Sequence, residues 1–139
     1  MPSKFVLAAV AAVMLAAAAP EADMKALMTL EVDPASNAVF AVQGEVDPGN
    51  GPDAAKVPAA RWAEGGAAAA KLKAAAERLL APGGVQDEAV WQAEARKMAD
   101  AAEAARLAAS ARDGAGFSDA ANALGDTCTA CHAKHRPTP

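Results

Sequence analysis

Apolar residues recur along this chain at intervals of three, four and seven, which is the period of helices packed on one face. Two stretches show the pattern most clearly. Their apolar positions are Trp62, Ala69, Leu72, Ala76 and Leu79 in the first, and Trp91, Met98, Ala102, Ala105 and Ala109 in the second. Charged residues fall largely on the other sides of these stretches, and no alternating apolar run suggests a strand. The pattern predicts an all-α protein.

Glycine and proline clusters divide the pattern into four helices. The first helix is predicted over residues 22–42, and Pro34 should kink or split it near Asp33 because proline lacks an amide donor. The glycines and prolines from Gly44 to Pro52 then predict a loop. The second helix is predicted to start near Pro58 and to end at Leu80.

The third and fourth helices complete the prediction. Asp87 is a suitable cap for the third helix, which should end near 113–114. The fourth opens at Ser118 or just before it, and its apolar face reads Phe117, Leu124, Cys128, Cys131 and His135. Helices of about 20 residues span roughly 30 Å. With short connections they favour an antiparallel up-down four-helix bundle. A three-helix bundle with a loose first segment is the alternative, because Pro34 interrupts that segment.

The first twenty residues differ from the rest. A short basic start at Met1–Lys4 precedes an apolar run from Phe5 to Leu15, and small residues follow at 16–19. This is the pattern of a secretory signal peptide, which we predict over residues 1–18 with cleavage near 18–22, leaving a four-helix domain over 19–139. A membrane anchor is the alternative, but the run is shorter than the roughly 20 residues needed to span a bilayer. We therefore expect export without stable membrane insertion.

The chain is acidic, with a formal net charge of −4 that becomes one unit more negative when Lys4 is removed. An acidic surface is poorly suited to nucleic acid, whose phosphates call for lysine and arginine. The acidity could steer a basic redox partner, although it more often simply keeps a small domain soluble. We expect no nucleic-acid partner.

The only two cysteines and the only two histidines lie close together, between Cys128 and His135. The segment Cys128-Thr129-Ala130-Cys131-His132 has the C-x-x-C-H pattern of covalent haem attachment. Two thiols can add to the two vinyl groups of a porphyrin, and the adjacent imidazole can then reach the iron. On a helix, Cys128 and His132 share a face because they are four residues apart.

Two other chemistries fit the same residues less well. A dithiol redox motif usually accompanies a βαβ pattern, which this sequence lacks. A zinc site would have to draw all its ligands from one short segment, whereas tetrahedral zinc sites usually draw ligand pairs from separate segments. The motif therefore favours one covalently attached haem c, with thiol redox chemistry and zinc binding as alternatives.

The segment Cys128 to Arg136, read as C-x-x-C-H-x-x-H-R, resembles that of the class II c-type cytochromes, meaning cytochrome c′ and its methionine-ligated low-spin relatives. The helix layout and length of the predicted mature chain are also similar to theirs. The resemblance implies a haem-bearing C-terminal helix, thioether bonds at Cys128 and Cys131, and His132 as the proximal iron ligand. It also implies that Arg136 packs near the haem.

The chain departs from this family at two places. His135 stands where tyrosine or phenylalanine is usual, and because it lies on the same side of the haem as His132 we do not expect it to be the sixth ligand. The first helix lacks the arginine that often precedes the distal position, and Lys25 is the nearest basic residue. Met28, or as second choice Met24, is the expected distal ligand; ordinary core packing is the alternative for both.

The expected function follows from the sixth ligand. With methionine bound, the resemblance implies a periplasmic protein that carries single electrons between a donor and an acceptor protein. With an open sixth position, it implies a five-coordinate protein that binds NO or CO. No catalytic set is recognisable, so an enzyme is not expected. Trp62, Trp91 and Met98 are interpreted as core residues, and the alanine-rich surface of the first two helices would allow a homodimer.

Overall fold

The computed structural model describes residues 21–51, 53–80 and 88–136. In these ranges the chain is helical and contains no strand, and four helices pack against one another. The predicted all-α helical bundle is confirmed. The predicted signal peptide over 1–18 and the predicted cap Asp87 lie outside the described residues.

The first bundle helix is continuous from residue 21 to 46 but changes its pitch once. It consists of α1 (Glu21–Leu27), a π-helical turn (Met28–Val32) and α2 (Asp33–Val46). In the π turn, the Asp33 amide donates to the carbonyl of Met28, five residues back. Proline lacks a donor and crowds the carbonyl four residues before it. The wider turn lets the helix pass through Pro34, so the disturbance predicted there is a change of pitch rather than a break.

The ends of the helices differ from the prediction at two places. The first helix continues to Val46, so Gly44 is helical and not part of the loop; two short 3₁₀ turns follow at Pro48–Asn50 and Ala54–Lys56. The last helix, α5 (Gly114–His135), starts four residues before Ser118. It starts early because the side chain of Asp113 accepts a hydrogen bond of 3.0 Å from the Gly116 amide and caps it.

The two middle helices are α3 (Ala59–Leu79), which follows Pro58 as predicted, and α4 (Glu88–Ala111). Side-chain contacts show that neighbouring helices run antiparallel. Arg61, near the start of α3, is ion-paired with Glu45 near the end of α2. At the other end of the bundle, Trp91 in the first turn of α4 donates to the carbonyl of Leu79 at 2.6 Å.

The fourth helix closes the bundle against the first. Gln43 near the end of α2 donates to Asn122 in the first half of α5 at 2.9 Å. The bundle order is therefore α2, α3, α4, α5, with α5 returning to α2. This is the antiparallel up-down arrangement that short connections favour.

The core confirms the predicted helix faces. All ten apolar positions predicted for α3 and α4 are buried. Trp62 packs edge-on against Phe117 with ring centroids 6.1 Å apart, and Gly65 lies directly beneath Phe117 and Val42. A Cβ atom at Gly65 would lie 3.0 Å from both side chains, so this glycine permits close approach.

Among the residues that the structure describes, three large apolar side chains are exposed, namely Leu30, Phe40 and Leu107. Leu30 and Phe40 belong to the first bundle helix, one of the two helices through which a homodimer is predicted. The homodimer itself remains a prediction. Across the described ranges, the helices are all too polar or too short to qualify as membrane spans.

Candidate functional site

A cavity of about 40 Å³ lies at the end of the bundle where α1 starts, α3 ends, α4 starts and α5 ends. All four bundle helices contribute to its wall. The lining side chains are Met28, Val32, Leu79, Trp91, Glu94, Ala95, Met98, Thr127, Cys128, Cys131 and His132. Both cysteines and the histidine of the C-x-x-C-H segment therefore meet the expected distal methionine, Met28, at a single cavity.

The helical spacing of α5 explains why its three residues reach the same cavity. Cys128, Cys131 and His132 occupy positions i, i+3 and i+4, which lie on one face of a helix. The hydroxyl of Thr127 donates to the carbonyl of Leu124 at 2.8 Å, and that of Thr129 to the carbonyl of Gly125 at 3.1 Å. With the threonine hydroxyls held by backbone, the polar atoms that this face offers to the cavity are the two sulfurs and the imidazole.

Both sulfurs are free thiols and half-buried, whereas His132 is exposed. Burial raises the pKa of the Cys128 thiol above its ordinary value. Burial also raises the pKa of the Cys131 thiol, and the negative charges of Glu94 and ionised Cys128 add to that effect. Redox-active cysteines need a lowered pKa, since the thiolate is the nucleophile. The raised pKa values of Cys128 and Cys131 are opposite in direction to the lowered values typical of redox-active cysteines.

The two candidate distal ligands differ in position. Met28 begins the π turn, is half-buried and lines the cavity. Met24 is half-buried and packs against the core, but it is not among the lining residues. The preference for Met28 over Met24 accords with these positions, while iron ligation by either residue remains a prediction.

Sequence reasoning missed Glu94 and Thr127, and it assigned Met98 to the core alone. Met98 is buried as predicted, and it also lines the cavity. Glu94 was grouped with the exposed charges of α4. Its spacing carried the signal, because it lies three residues after Trp91 and four before Met98 and so shares their face.

His135 and Arg136, which follow the motif by three and four residues, are not among the side chains that line the cavity. His135 is half-buried, and its ring packs edge-on against Trp91 with centroids 5.1 Å apart. Its Nε2 atom is buried and has no hydrogen-bond partner among the described residues. Arg136 is exposed at the C-cap of α5, where its amide donates to the carbonyl of His132 at 3.2 Å. The implied packing of Arg136 near a haem remains a prediction.

The residue types at this cavity match those that a covalently attached haem requires. Within the described ranges, histidine, cysteine, aspartate and glutamate nowhere gather in a group of three that could hold a metal ion. A haem needs less from the protein, namely two thiols for its vinyl groups and one or two axial ligands for its iron. Cys128, Cys131, His132 and Met28 supply that set at a largely apolar cavity.

Comparisons with known proteins give no relative for this chain. No family model matches it, and no curated protein or solved structure is significantly similar to it.

Proposed function

We propose that this chain is an exported c-type cytochrome that carries single electrons between periplasmic proteins. One observation carries the proposal. The two thiols and the imidazole of the C-x-x-C-H segment share a single largely apolar cavity with Met28, which comes from a different helix. A methionine thioether and a histidine imidazole are the protein ligands of methionine-ligated electron-transfer haems.

Each residue has a distinct task in this proposal. Cys128 and Cys131 would hold the haem through thioether bonds, His132 on α5 would ligate the iron, and Met28 in the π turn would be its second protein ligand. When bound, the haem would supply an iron that changes between its ferric and ferrous states by one electron. Ligation by a methionine thioether raises the reduction potential relative to ligation by two histidines.

The remaining wall residues keep water away and fix the geometry. Val32, Leu79 and Trp91 present apolar surface, and the hydrogen bond from Trp91 to the carbonyl of Leu79 fixes the indole. The cavity of about 40 Å³ is much smaller than ordinary small-molecule pockets, which measure about 300–1,000 Å³. Loading a porphyrin therefore requires the helices to separate at this end of the bundle.

Optical spectra of the exported protein test the proposal. We expect covalent haem that resists acid–acetone extraction and a low-spin reduced spectrum that does not respond to CO. A reduced spectrum that shifts with CO would instead assign the five-coordinate gas-binding alternative. Protein without a prosthetic group, with its thiols free or joined, would contradict the proposal entirely.

Two single variants distinguish the candidate ligands. Met28→Ala should convert the spectrum to a high-spin, CO-responsive form, because it removes the thioether that lines the cavity. Met24→Ala is the matched control, since Met24 lies four residues away on the same helix but outside the lining. An unchanged spectrum in Met28→Ala would remove Met28 from the proposed ligand set.

A further inference from the structure

Glu94 is an unusual acidic residue in this bundle because most of its side chain is buried. The side chain is 11% exposed, although its carboxylate is ion-paired with Lys97 at 2.7 Å. It lies between two spaces: it lines the cavity that contains Cys128, Cys131 and His132, and it also lines a groove of about 470 Å³ between α4 and α5. Among the described residues that line the cavity, Glu94 is the one acidic side chain.

Lys97, which pairs with Glu94, lies on the side of Glu94 that faces the outer groove. The side chain of Lys97 is 64% exposed, and it lines the outer groove without lining the cavity. Solvent therefore screens the ammonium more strongly than it screens the carboxylate. A group inside the cavity would experience a net negative field from this pair.

We propose that Glu94 sets the reduction potential of the haem by favouring its oxidised state. The inference rests on the proposed function and adds a residue that the C-x-x-C-H motif does not contain. One electron from a reduced donor protein lowers the formal charge of the iron from 3+ to 2+, and the acceptor protein later removes it. A carboxylate at the cavity stabilises the 3+ state more than the 2+ state, so it lowers the potential.

The chain offers a matched control on the same helix. Glu103 pairs with Arg106 at 2.7 Å in the same i, i+3 arrangement that joins Glu94 to Lys97. Its side chain is 34% exposed and lies outside the cavity wall. Glu103→Gln therefore removes the same charge from a similar ion pair at a position farther along α4.

Potentiometric titration of the full-length, haem-loaded protein tests the inference. Glu94→Gln should shift the one-electron equilibrium about tenfold toward the reduced form, which is about 59 mV to more positive potential. Lys97→Met should shift the potential the opposite way by a smaller amount, since it removes the counter-charge. Glu103→Gln should leave the potential close to that of the wild type.

The outcomes separate this inference from the proposed function. Wild-type protein without covalent haem would overturn both. Haem-loaded Glu94→Gln with an unshifted potential would overturn the role of Glu94 alone, as would shifts of the same sign in Glu94→Gln and Lys97→Met. If Glu94→Gln does not fold, Lys97→Met decides the question, because a merely structural role of this ion pair predicts no negative shift.

Discussion

The two ends of this helix bundle are built differently. We call the end around Val42, Val46, Gly65, Gly114 and Phe117 the packed end. Its valines and phenylalanine are fully buried, and added Cβ atoms at its two glycines would lie at or below 3.0 Å from a neighbouring atom. Interiors packed this closely have a single arrangement.

The opposite end, around Met28, Leu79, Trp91, Cys128 and Cys131, is the cavity end. Half-buried methionine and cysteine side chains form part of the wall of the 40 Å³ cavity at this end. Methionine side chains adapt to irregular gaps in a core, and cysteine packs there as a small apolar residue. The difference shows that the same helices pack closely at one end of the bundle and surround a small cavity at the other.

Leucine truncation provides the largest test of this contrast. Leu72 and Leu79 lie one heptad apart on α3, at 1% and 6% exposure, and only Leu79 lines the cavity. Leu72→Ala should reduce the free energy of unfolding by about 3–5 kcal/mol, because a rigid surround cannot collapse into the space. Leu79→Ala should cost about 2 kcal/mol, since fewer packed contacts are lost. Urea unfolding followed by circular dichroism measures both, and equal losses would contradict the contrast.

Two adjacent glycines in α3 provide a smaller test. A Cβ atom at Gly65 would meet Phe117 and Val42 at 3.0 Å, whereas one at Gly66 would meet only Ala109 at 3.4 Å. Gly65→Ala should destabilise the protein by about 1–3 kcal/mol through overpacking. Gly66→Ala should be neutral or should stabilise it by up to about 1 kcal/mol, because alanine is the better helix former. Thermal unfolding of the two variants side by side checks this. A stabilising effect of Gly65→Ala would contradict the prediction, because it would show that Phe117 and Val42 can move to accommodate a methyl group.

The smallest expected effect is a pH dependence at the edge of the packed end. A hydrogen bond from Arg61 holds the pKa of Glu45 below its ordinary value. Because the folded pKa lies below the unfolded one, the stabilisation is present above about pH 4.3 and is lost as pH falls through the folded pKa. The stability difference between wild type and Glu45→Gln should therefore shrink in acid. Melting curves at several pH values check this, and the difference should also fall in 1 M salt because the pair is partly exposed to solvent.

The sequence predicted the parts of this structure that depend on periodicity. The faces of α3 and α4 could be found because an apolar residue every three or four positions leaves a helix few ways to pack. The C-x-x-C-H segment likewise predicted which three residues of α5 would share a face, since that depends only on helical spacing.

The rest depended on tertiary contacts. Gly44 reads as a loop residue, but burial of Val42 and Val46 keeps the helix intact around it. The π turn was not foreseen because a pitch change leaves no composition signal. Glu94 reads as a surface charge, and only the meeting of α4 with the end of α5 makes it part of a cavity wall.

The π turn also determines how the first helix is phased. Buried positions follow at steps of three and four from Val32 to Val46, but the step from Leu27 to Val32 is five. Each residue of a regular α-helix turns the chain by about 100°. In a regular α-helix a step of five residues would turn the chain by about 500° and place Leu27 about 140° away from Val32. The wider π turn takes up the additional residue and keeps both side chains on the buried side of the first helix. Deleting one residue here would leave a step of four, which a regular α-helix also keeps on one face, so the buried side of the segment before Val32 is preserved by the π turn.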